Sequence, residues 1–395
     1  MAKIELLSPA GDLEKLKIAV LYGANAVFIG GKELSLRSRA SNFTIEDIKE
    51  ASTFAHKYGA KVHVTCNIVM HNKDLNNILE YLKNLEAAGV DAIISSSIYI
   101  ISLIKKYTKM EAHVSTQAST ANNQAVKFYE RLDADRIVLA RELSINEIKE
   151  VRKSTKKEIE VFIHGGMCAS FSGRCMLSNN MSNRDANRGG CSHSCRWNYN
   201  LFDENNNQIN DDNSYFSLSS KDLCAVKAIP NLIDIGVNSL KIEGRMKSLH
   251  YIATITDAYR RLIDDYYQNG FINNFDKYIN LINKAENRLT STGFLLTNIS
   301  LEQQLFDDSN APTKEFVGII LDYDAETHVA TVEQRNYFLP NSILEVFSPQ
   351  NEFNISIGNI YDLDGNILDA ARHPRQIIKF KTDKPLTKNS LLRLI

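Results

Sequence analysis

Four of the six cysteines in this 395-residue chain lie within one short stretch, which makes that stretch the first candidate for chemistry. They are Cys168, Cys175, Cys191 and Cys195, separated by six, fifteen and three residues. Thiolates gathered in this way ligate metal ions or iron–sulfur clusters. Structural zinc sites mostly use ligand pairs with roughly two to four residues between them. The two longer gaps therefore favour an iron–sulfur cluster, with a zinc site or a metal-free site as the alternatives.

The residues around these cysteines suit a negatively charged cluster. Glycines flank them and allow tight turns and close approach of backbone amides. Between Cys168 and Arg196 the sequence has four arginines and one acid, Asp185, so the local formal charge is four minus one, or +3. Guanidinium groups would offset the charge of a cluster and could also contact RNA phosphates. Cys224 is an alternative to Cys195 as the fourth ligand, or else a buried helical cysteine, and Cys66 is predicted to be a core or barrel-mouth thiol.

Composition limits the class of protein. The formal net charge is −1, so contact with nucleic acid must come from a local basic patch. The first residues lack the pattern of a signal peptide, and no apolar run reaches the roughly 20 residues that span a bilayer. We therefore expect a cytoplasmic protein with no membrane association, in a compartment where thiols stay reduced.

Short apolar strands alternate with amphipathic helices over the first 270 residues. Eight strands are predicted at residues 4–8, 26–30, 61–67, 92–95, 111–115, 136–140, 159–164 and 239–243. Asp12, Thr44 and Asp74 are predicted N-caps of the helices that follow the first three strands. This order predicts a TIM-like (β/α)₈ barrel, and a doubly wound open sheet is the rival. No GxGxxG motif follows the first strand, which argues against a dinucleotide-binding version.

Two segments depart from this alternation. An insertion at about 165–225 contains the cysteines and a polar, hairpin-like segment at 199–215, and it follows the seventh strand, at the face where such barrels place active sites. After a predicted linker at 305–312, strand patterns at 316–321, 329–332, 343–347 and 377–380 indicate a small β-barrel. The predicted domains are a barrel at 1–304 and a β module at 305–395.

Polar residues at the strand ends are candidates for binding and catalysis, although each could be only structural. They are Asn67, Ser115, Thr116, Gln117, Arg141, Glu142, His164, Glu243 and Arg245. Strand alternation places Lys241 and Glu243 on one face, which we expect to point into the barrel. Trp197 could stack on a base or form part of the wall of the cluster site. The tyrosines of the last barrel helix, 246–267, are more typical of packing.

Several motifs together resemble the peptidase U32 family over essentially the whole chain. They are Glu160-x-Phe162-x-x-Gly165-x-Met167-Cys168-x4-Gly173-x-Cys175-x-Leu177-Ser178, the opening Glu5-Leu-Leu-Ser-Pro-Ala-Gly, and the later Ser220-Lys-Asp-Leu-Cys and Ser239-Leu-Lys-Ile-Glu-Gly-Arg-Met-Lys-Ser248. Gly166 departs from the Ser or Ala that the family prefers. A branch of the family hydroxylates C5 of the wobble uridine of tRNA with prephenate as a required metabolite.

The resemblance implies an RNA hydroxylase that holds a [4Fe-4S] cluster on Cys168, Cys175, Cys191 and Cys195. The expected partners are the tRNA anticodon loop, prephenate, and a homologue or second copy. We assign His164, Glu243 and Arg245 to catalysis. Prephenate binding is assigned to Arg141, Lys247 and Gln117, with Arg245 as a further carboxylate ligand because guanidinium binds carboxylates bidentately.

Three other functions are compatible with the same residues. The first is hydroxylation of 23S ribosomal RNA, the second is the collagenase-like proteolysis in the family name, and the third is RNA binding without catalysis. The sequence contains neither HExxH nor GxSxG, which argues against a protease.

Overall fold

The computed structural model describes residues 3–36, 42–211, 213–296 and 312–395. Its N-terminal part contains β1 (Glu5–Pro9), β2 (Ala26–Gly30), β3 (Lys61–Thr65), β4 (Ala92–Ser95), β5 (Glu111–Val114), β6 (Arg136–Val138), β7 (Glu158–Gly165), β8 (Asp222–Cys224), β9 (Ser239–Ile242) and β10 (Thr290–Ser291). Strands β1 to β7 pair in order, and β9 pairs in parallel with both β7 and β1. This closes an eight-stranded parallel barrel. The predicted barrel is confirmed, and the open-sheet rival is wrong.

Helices surround the barrel. They are α1 (Leu13–Leu21), α2 (Ile45–Lys57), α3 (Ile78–Ala87), α4 (Ile98–Tyr107), α5 (Asn123–Arg131), α6 (Ile145–Ser154), α7 (Leu177–Ser182), α8 (Ile229–Ile235), α9 (Leu249–Asn269) and α10 (Asp276–Ile282). Strands such as β2 are buried on both faces, as helix-covered parallel strands must be. None of the described helices is both long and apolar enough to cross a membrane.

Two of the three predicted N-caps are confirmed. Asp12 accepts a hydrogen bond from the amide of Lys15, and Thr44 forms a capping box with Asp47. The prediction for Asp74 is wrong, because α3 begins only after Asn77, which adopts a left-handed conformation. Asp74 lies in a preceding 3₁₀ turn and is used instead for a tertiary contact described below.

The C-terminal part is an antiparallel sheet of β11 (Glu315–Asp324), β12 (Val329–Gln334), β13 (Ile343–Ser348), β14 (Asn351–Ser356), β15 (Ile360–Tyr361), β16 (Ile367–Leu368), β17 (Ile377–Lys381) and β18 (Leu391–Leu394). The strand order is β14-β13-β18-β11-β12-β17-β15-β16, around its own apolar core. The predicted C-terminal β domain is confirmed, although β14, β15, β16 and β18 were not foreseen. The predicted boundary at 304/305 and all of the linker except Pro312 lie outside the described residues.

The lower interior of the barrel is charged rather than apolar. Lys241 donates to Glu160 over 2.7 Å, and Arg136 donates to the other oxygen of Glu160 over 3.1 Å. All three side chains are buried. Burial alone would raise the pKa of Glu160, but Lys241 and Arg136 outweigh it and lower that pKa to about 2. The expectation that Lys241 points into the barrel is confirmed.

Candidate functional site

The cysteine-bearing insertion is fastened to the barrel at Ser172. The carboxylate of Glu142, which follows β6, accepts hydrogen bonds from the amide of Ser172 over 2.9 Å and from its hydroxyl over 3.0 Å. The hydroxyl of Ser119 donates to the carbonyl of Ser172. Next to this contact, a Cβ atom on Gly173 would collide with the backbone carbonyl of Gln117, and Gly173 has φ of +76°. Only glycine fits at this position. This close contact of Gly173 with Gln117, called the seat below, fixes the loop between Cys168 and Cys175 on the barrel.

A second contact fixes the far side of the insertion. Arg188 donates to both carboxylate oxygens of Asp74 over 2.6 and 3.0 Å. The amide of Val69 donates to the carbonyl of Asn187 over 2.9 Å. A bidentate arginine–carboxylate pair is directional as well as attractive. The insertion is therefore held from both sides above the carboxyl ends of the strands.

The four clustered cysteines surround one cavity of about 100 Å³. Its wall also includes Thr116, Gln117, Arg141, Glu142, Phe171 and His193. Cys168 is exposed, the other three cysteines are half-buried, and all four are free thiols. Cys195 therefore stands with the other three as the sequence predicted.

The thiols are close enough to influence one another. Burial raises the pKa of Cys195, Arg196 opposes this, and Cys168, Cys191 and Cys175 raise it further. Within the described part of the chain, no group of three or more His, Cys, Asp or Glu residues is arranged to hold a metal ion. The thiols surround a volume instead of meeting at one point. Four soft sulfur donors of this kind are suited to an iron–sulfur cluster and equally to a single zinc ion.

Cys224 and Cys66 lie apart from this cavity. Cys224 is the last residue of β8, not a helical residue as expected, and its sulfur lies 4.0 Å from the hydroxyl of Tyr259. Cys66 is fully buried after β3, and burial raises the pKa of its thiol to about 12. Cys66 is thus a core thiol, one of the two places predicted for it, and neither cysteine belongs to the wall of the cavity.

A second cavity of about 60 Å³ lies at the mouth of the barrel itself. Seven of the nine strand-end candidates line it, namely Asn67, Ser115, Thr116, Gln117, Arg141, Glu243 and Arg245. Gln117 and Arg141 also line the cysteine cavity, so the two cavities share a wall. A small molecule in the barrel mouth would therefore lie next to whatever the cysteines hold.

The two arginines of the mouth are held in place by different contacts. Arg141 donates to the carbonyl of Gly166 over 2.6 Å and lies over the ring of Phe162 at 4.0 Å. Arg245 is buried and donates to Ser35 over 2.7 Å and to Asn42 over 2.6 Å. Its guanidinium occupies the space that a Cβ on Gly30 would need. These three hydrogen bonds end on a carbonyl, a hydroxyl and a side-chain amide oxygen.

His164 and Lys247 are not brought to either cavity. The pairing of β7 with β9 shifts register between Phe162 and His164, so alternation fails there. Phe162 lines the mouth, whereas His164 is buried against Tyr259 and Asn287, at 3.2 Å from each. Burial lowers the pKa of His164 to about 4. Lys247 instead donates to the carbonyl of Glu286, so neither residue lies in the wall of the cavity for which its role was predicted.

Aromatic residues around the site were only partly foreseen. Trp197 does not line the cysteine cavity, and its ring lies 6.4 Å from that of Tyr199. Phe171, which was not predicted as a site residue, lines the cavity and is 47% exposed. A phenylalanine among small residues between two cysteines was the signal that could have singled it out. Tyr251 and Tyr259 are buried in packing positions on α9, as expected.

The chain is a TIM-like barrel whose mouth is lined by cationic side chains and lies next to a loop with four thiols. Peptidase family U32 matches residues 11–304, and the Peptidase family U32 C-terminal domain matches residues 312–393. The chain belongs to the peptidase U32 family.

Three curated relatives carry names that describe RNA hydroxylation. The chain is 47% identical to tRNA hydroxylation protein P1 of Bacillus subtilis (strain 168), over 99% of this chain and 94% of that protein. It is 31% identical to tRNA hydroxylation protein P of Escherichia coli (strain K12), over 94% and 92%. It is also 39% identical to the 23S rRNA 5-hydroxycytidine C2501 synthase of the same organism, over 66% of this chain and 39% of that protein.

Proposed function

We propose that this protein is an RNA hydroxylase that converts the wobble uridine of tRNA to 5-hydroxyuridine. The observation that carries the proposal is the shared wall between the four-cysteine cavity and the cationic barrel mouth. One cavity offers soft ligands for a redox or Lewis-acid group, and the other offers polar and cationic groups for a small anionic metabolite. The names of the two tRNA-modifying relatives, which match nearly the full chain, support tRNA as the substrate.

Cys168, Cys175, Cys191 and Cys195 would hold a [4Fe-4S] cluster. When bound, such a cluster supplies Lewis acidity or electrons at the wall that faces the barrel mouth. Arg196 lies near Cys195 and opposes the rise of its pKa, which favours the thiolate form that ligation needs. The seat of Gly173 on Gln117 would keep the cysteine loop, and thus the cluster, in register with the mouth.

Prephenate would bind in the mouth as the co-substrate. Arg141 and Arg245 are the proposed carboxylate ligands, and Gln117 is a polar neighbour on the shared wall. Lys241 also lines the mouth, but its charge is offset by Glu160. Glu243 is the proposed proton-transfer group, because it is the acidic residue that lines the same cavity.

A wobble uridine suits an enclosed site of this kind. The anticodon loop is single-stranded, so little stacking or pairing energy opposes entry of the base into a cavity. Because Arg188 is paired with Asp74, the proposed contacts with the loop phosphates fall to Arg174, Arg184 and Arg196 of the same segment.

Nucleoside mass spectrometry of tRNA tests the proposal. A strain lacking this protein, and any homologue with the same activity, would be complemented with wild type, Cys168→Ala or Cys224→Ala. We expect 5-hydroxyuridine-type nucleosides to return with wild type and Cys224→Ala but not with Cys168→Ala. Unchanged tRNA in the deletion strain would reject the tRNA substrate, and 23S rRNA would be analysed next. Protease activity that survives loss of Cys168 would instead favour the peptidase function.

A further inference from the structure

Phe171 is a large apolar side chain held at the rim of the cysteine cavity. It lines that cavity and is 47% exposed. Among the described residues of the wall it is the only Phe, Tyr or Trp. Leaving such a ring in water forgoes the stabilisation that burial would give. An exposed ring at a cavity rim therefore suggests a ligand that covers it.

The backbone around Phe171 is held by the barrel. Ser172 is bound through its amide and hydroxyl to Glu142, and Gly173 packs on the backbone of Gln117. The amide of Arg174 also donates to the carbonyl of Phe171 over 3.0 Å, which closes a turn. The ring is therefore presented from a constrained loop, so little backbone entropy is lost when a ligand stacks on it.

We propose that Phe171 is the stacking platform for the target base of the RNA. This inference rests on the proposed function and adds the residue that receives the pyrimidine beside the cysteines. A planar base offers a π-face that matches the ring, and base–aromatic stacking tolerates a substrate held mainly by its backbone. Exposed Arg174, three residues further on, can contact the neighbouring phosphate.

Two other exposed side chains near the cysteines do not meet these conditions. Trp197 is 40% exposed and Met176 is 57% exposed, but neither lines the cavity. The stacking role considered for Trp197 from sequence is thereby assigned to Phe171. Trp197 also provides a matched control, since it is an exposed aromatic residue of the same insertion.

The test compares two RNA stem–loops that differ only at the wobble position, one with uridine and one with an abasic site. Dissociation constants would be measured by fluorescence anisotropy with the full-length, cluster-loaded protein. Wild type should bind the uridine RNA roughly tenfold to a hundredfold more tightly than the abasic RNA. Phe171→Ala and Phe171→Leu should lose most of this discrimination, because neither keeps a π-face. Phe171→Tyr and Trp197→Ala should retain it.

The outcomes separate this inference from the proposed function. If Phe171→Ala and Phe171→Leu discriminate as wild type does, or if wild type does not discriminate, Phe171 is not the platform, while hydroxylation of tRNA can still stand. If wild type neither binds nor modifies the uridine RNA, both proposals fail. Iron content and thermal stability equal to wild type would show that the exposed substitutions leave the fold intact.

Discussion

At the scale of single residues, burial decides which polar groups belong to the site and which to the fold. Asn67, Gln117, Arg141, Glu243 and Arg245 could be predicted to meet, because the carboxyl ends of parallel strands lie at one edge of a barrel. The positions of His164 and Lys247 could not. Their assignments assumed regular strand geometry and loop direction, and neither the register shift after Phe162 nor the turn that directs Lys247 toward Glu286 has a sequence signature.

The buried position of His164 leads to a test of its predicted catalytic role. Its pKa of about 4 lies below the ordinary 6.5, so the neutral form is favoured in the folded state. The contribution of neutral His164 to the free energy of unfolding is fully present above about pH 6.5 and is lost as the pH falls toward 4. Glutamine at this position cannot be protonated. The free energy of unfolding of His164→Gln should therefore fall by on the order of 3 kcal/mol less than that of wild type between pH 6.5 and 4, as measured by unfolding at several pH values. Hydroxylation should stay within a few-fold of wild type, and a loss of a hundredfold or more would restore His164 to catalysis.

Neutralising the buried carboxylate of Glu160 should lower the free energy of unfolding at neutral pH. Glu160→Gln removes the counter-charge of buried Lys241, whereas Arg136 keeps Glu5 and Glu158, and it should cost about 3–5 kcal/mol. Because the folded pKa is lowered to about 2, wild type loses this contribution as the pH falls from about 4.5 to 2, and the variant should not. Exposed Glu150, which pairs with Lys153 on the surface, is the control, and Glu150→Gln should not change thermal unfolding.

At the scale of elements, the barrel strands and most helices could be predicted because hydrophobic period and capping residues are local signals. Asp12 and Thr44 were identified in this way. Asp74 was misassigned because its carboxylate binds Arg188, 114 positions further along the chain. The seat of the cysteine loop on Gln117 is likewise a long-range contact, and no local pattern announces it.

The contact of Gly173 with Gln117 predicts that one added methyl group at Gly173 lowers the iron and sulfide content. Gly173→Ala would collide with the carbonyl of Gln117 and displace the cysteine loop, so iron and sulfide content should fall several-fold. Gly270→Ala is the matched control, since Gly270 has the same φ of +76° and nothing within 4 Å of a new Cβ. Both variants should lose a similar small amount of stability from backbone strain, about 1 kcal/mol. Equal cluster content in the two proteins would contradict the account of the seat.

At the scale of the whole molecule, the C-terminal sheet packs on α1 and α9 of the barrel. Ile18, Tyr22, Leu249, Phe347 and Leu391 belong to one apolar cluster at this junction. The hydroxyl of Tyr22 donates to the carbonyl of Phe347 over 2.9 Å. The presence of two domains could be predicted from the change in hydrophobic period, but their contact could not, because it depends on how separate surfaces meet.

Arg393 is the charged centre of this junction. It is fully buried and donates to His250 and Thr254 of α9, each over 2.8 Å, and to Glu345 and Glu352 of the sheet, each over 2.9 Å. Arg393→Leu should cost about 3–5 kcal/mol and separate thermal unfolding into two transitions. Arg375, whose side chain is 72% exposed, is the control, and Arg375→Leu should unfold as wild type does. A single, unshifted transition for Arg393→Leu would show that the junction does not couple the domains.

In the proposed function, four cysteines of the insertion hold an iron–sulfur cluster at the mouth of the barrel. This ligand set is tested by the iron, acid-labile sulfide and zinc content of anaerobically purified wild type and of each cysteine-to-alanine variant. We expect about four iron and four sulfide per chain in wild type and Cys224→Ala. We expect a large loss of both in the variants of Cys168, Cys175, Cys191 and Cys195. One zinc per chain without sulfide, or a loss of iron in Cys224→Ala with retention in Cys195→Ala, would overturn this assignment.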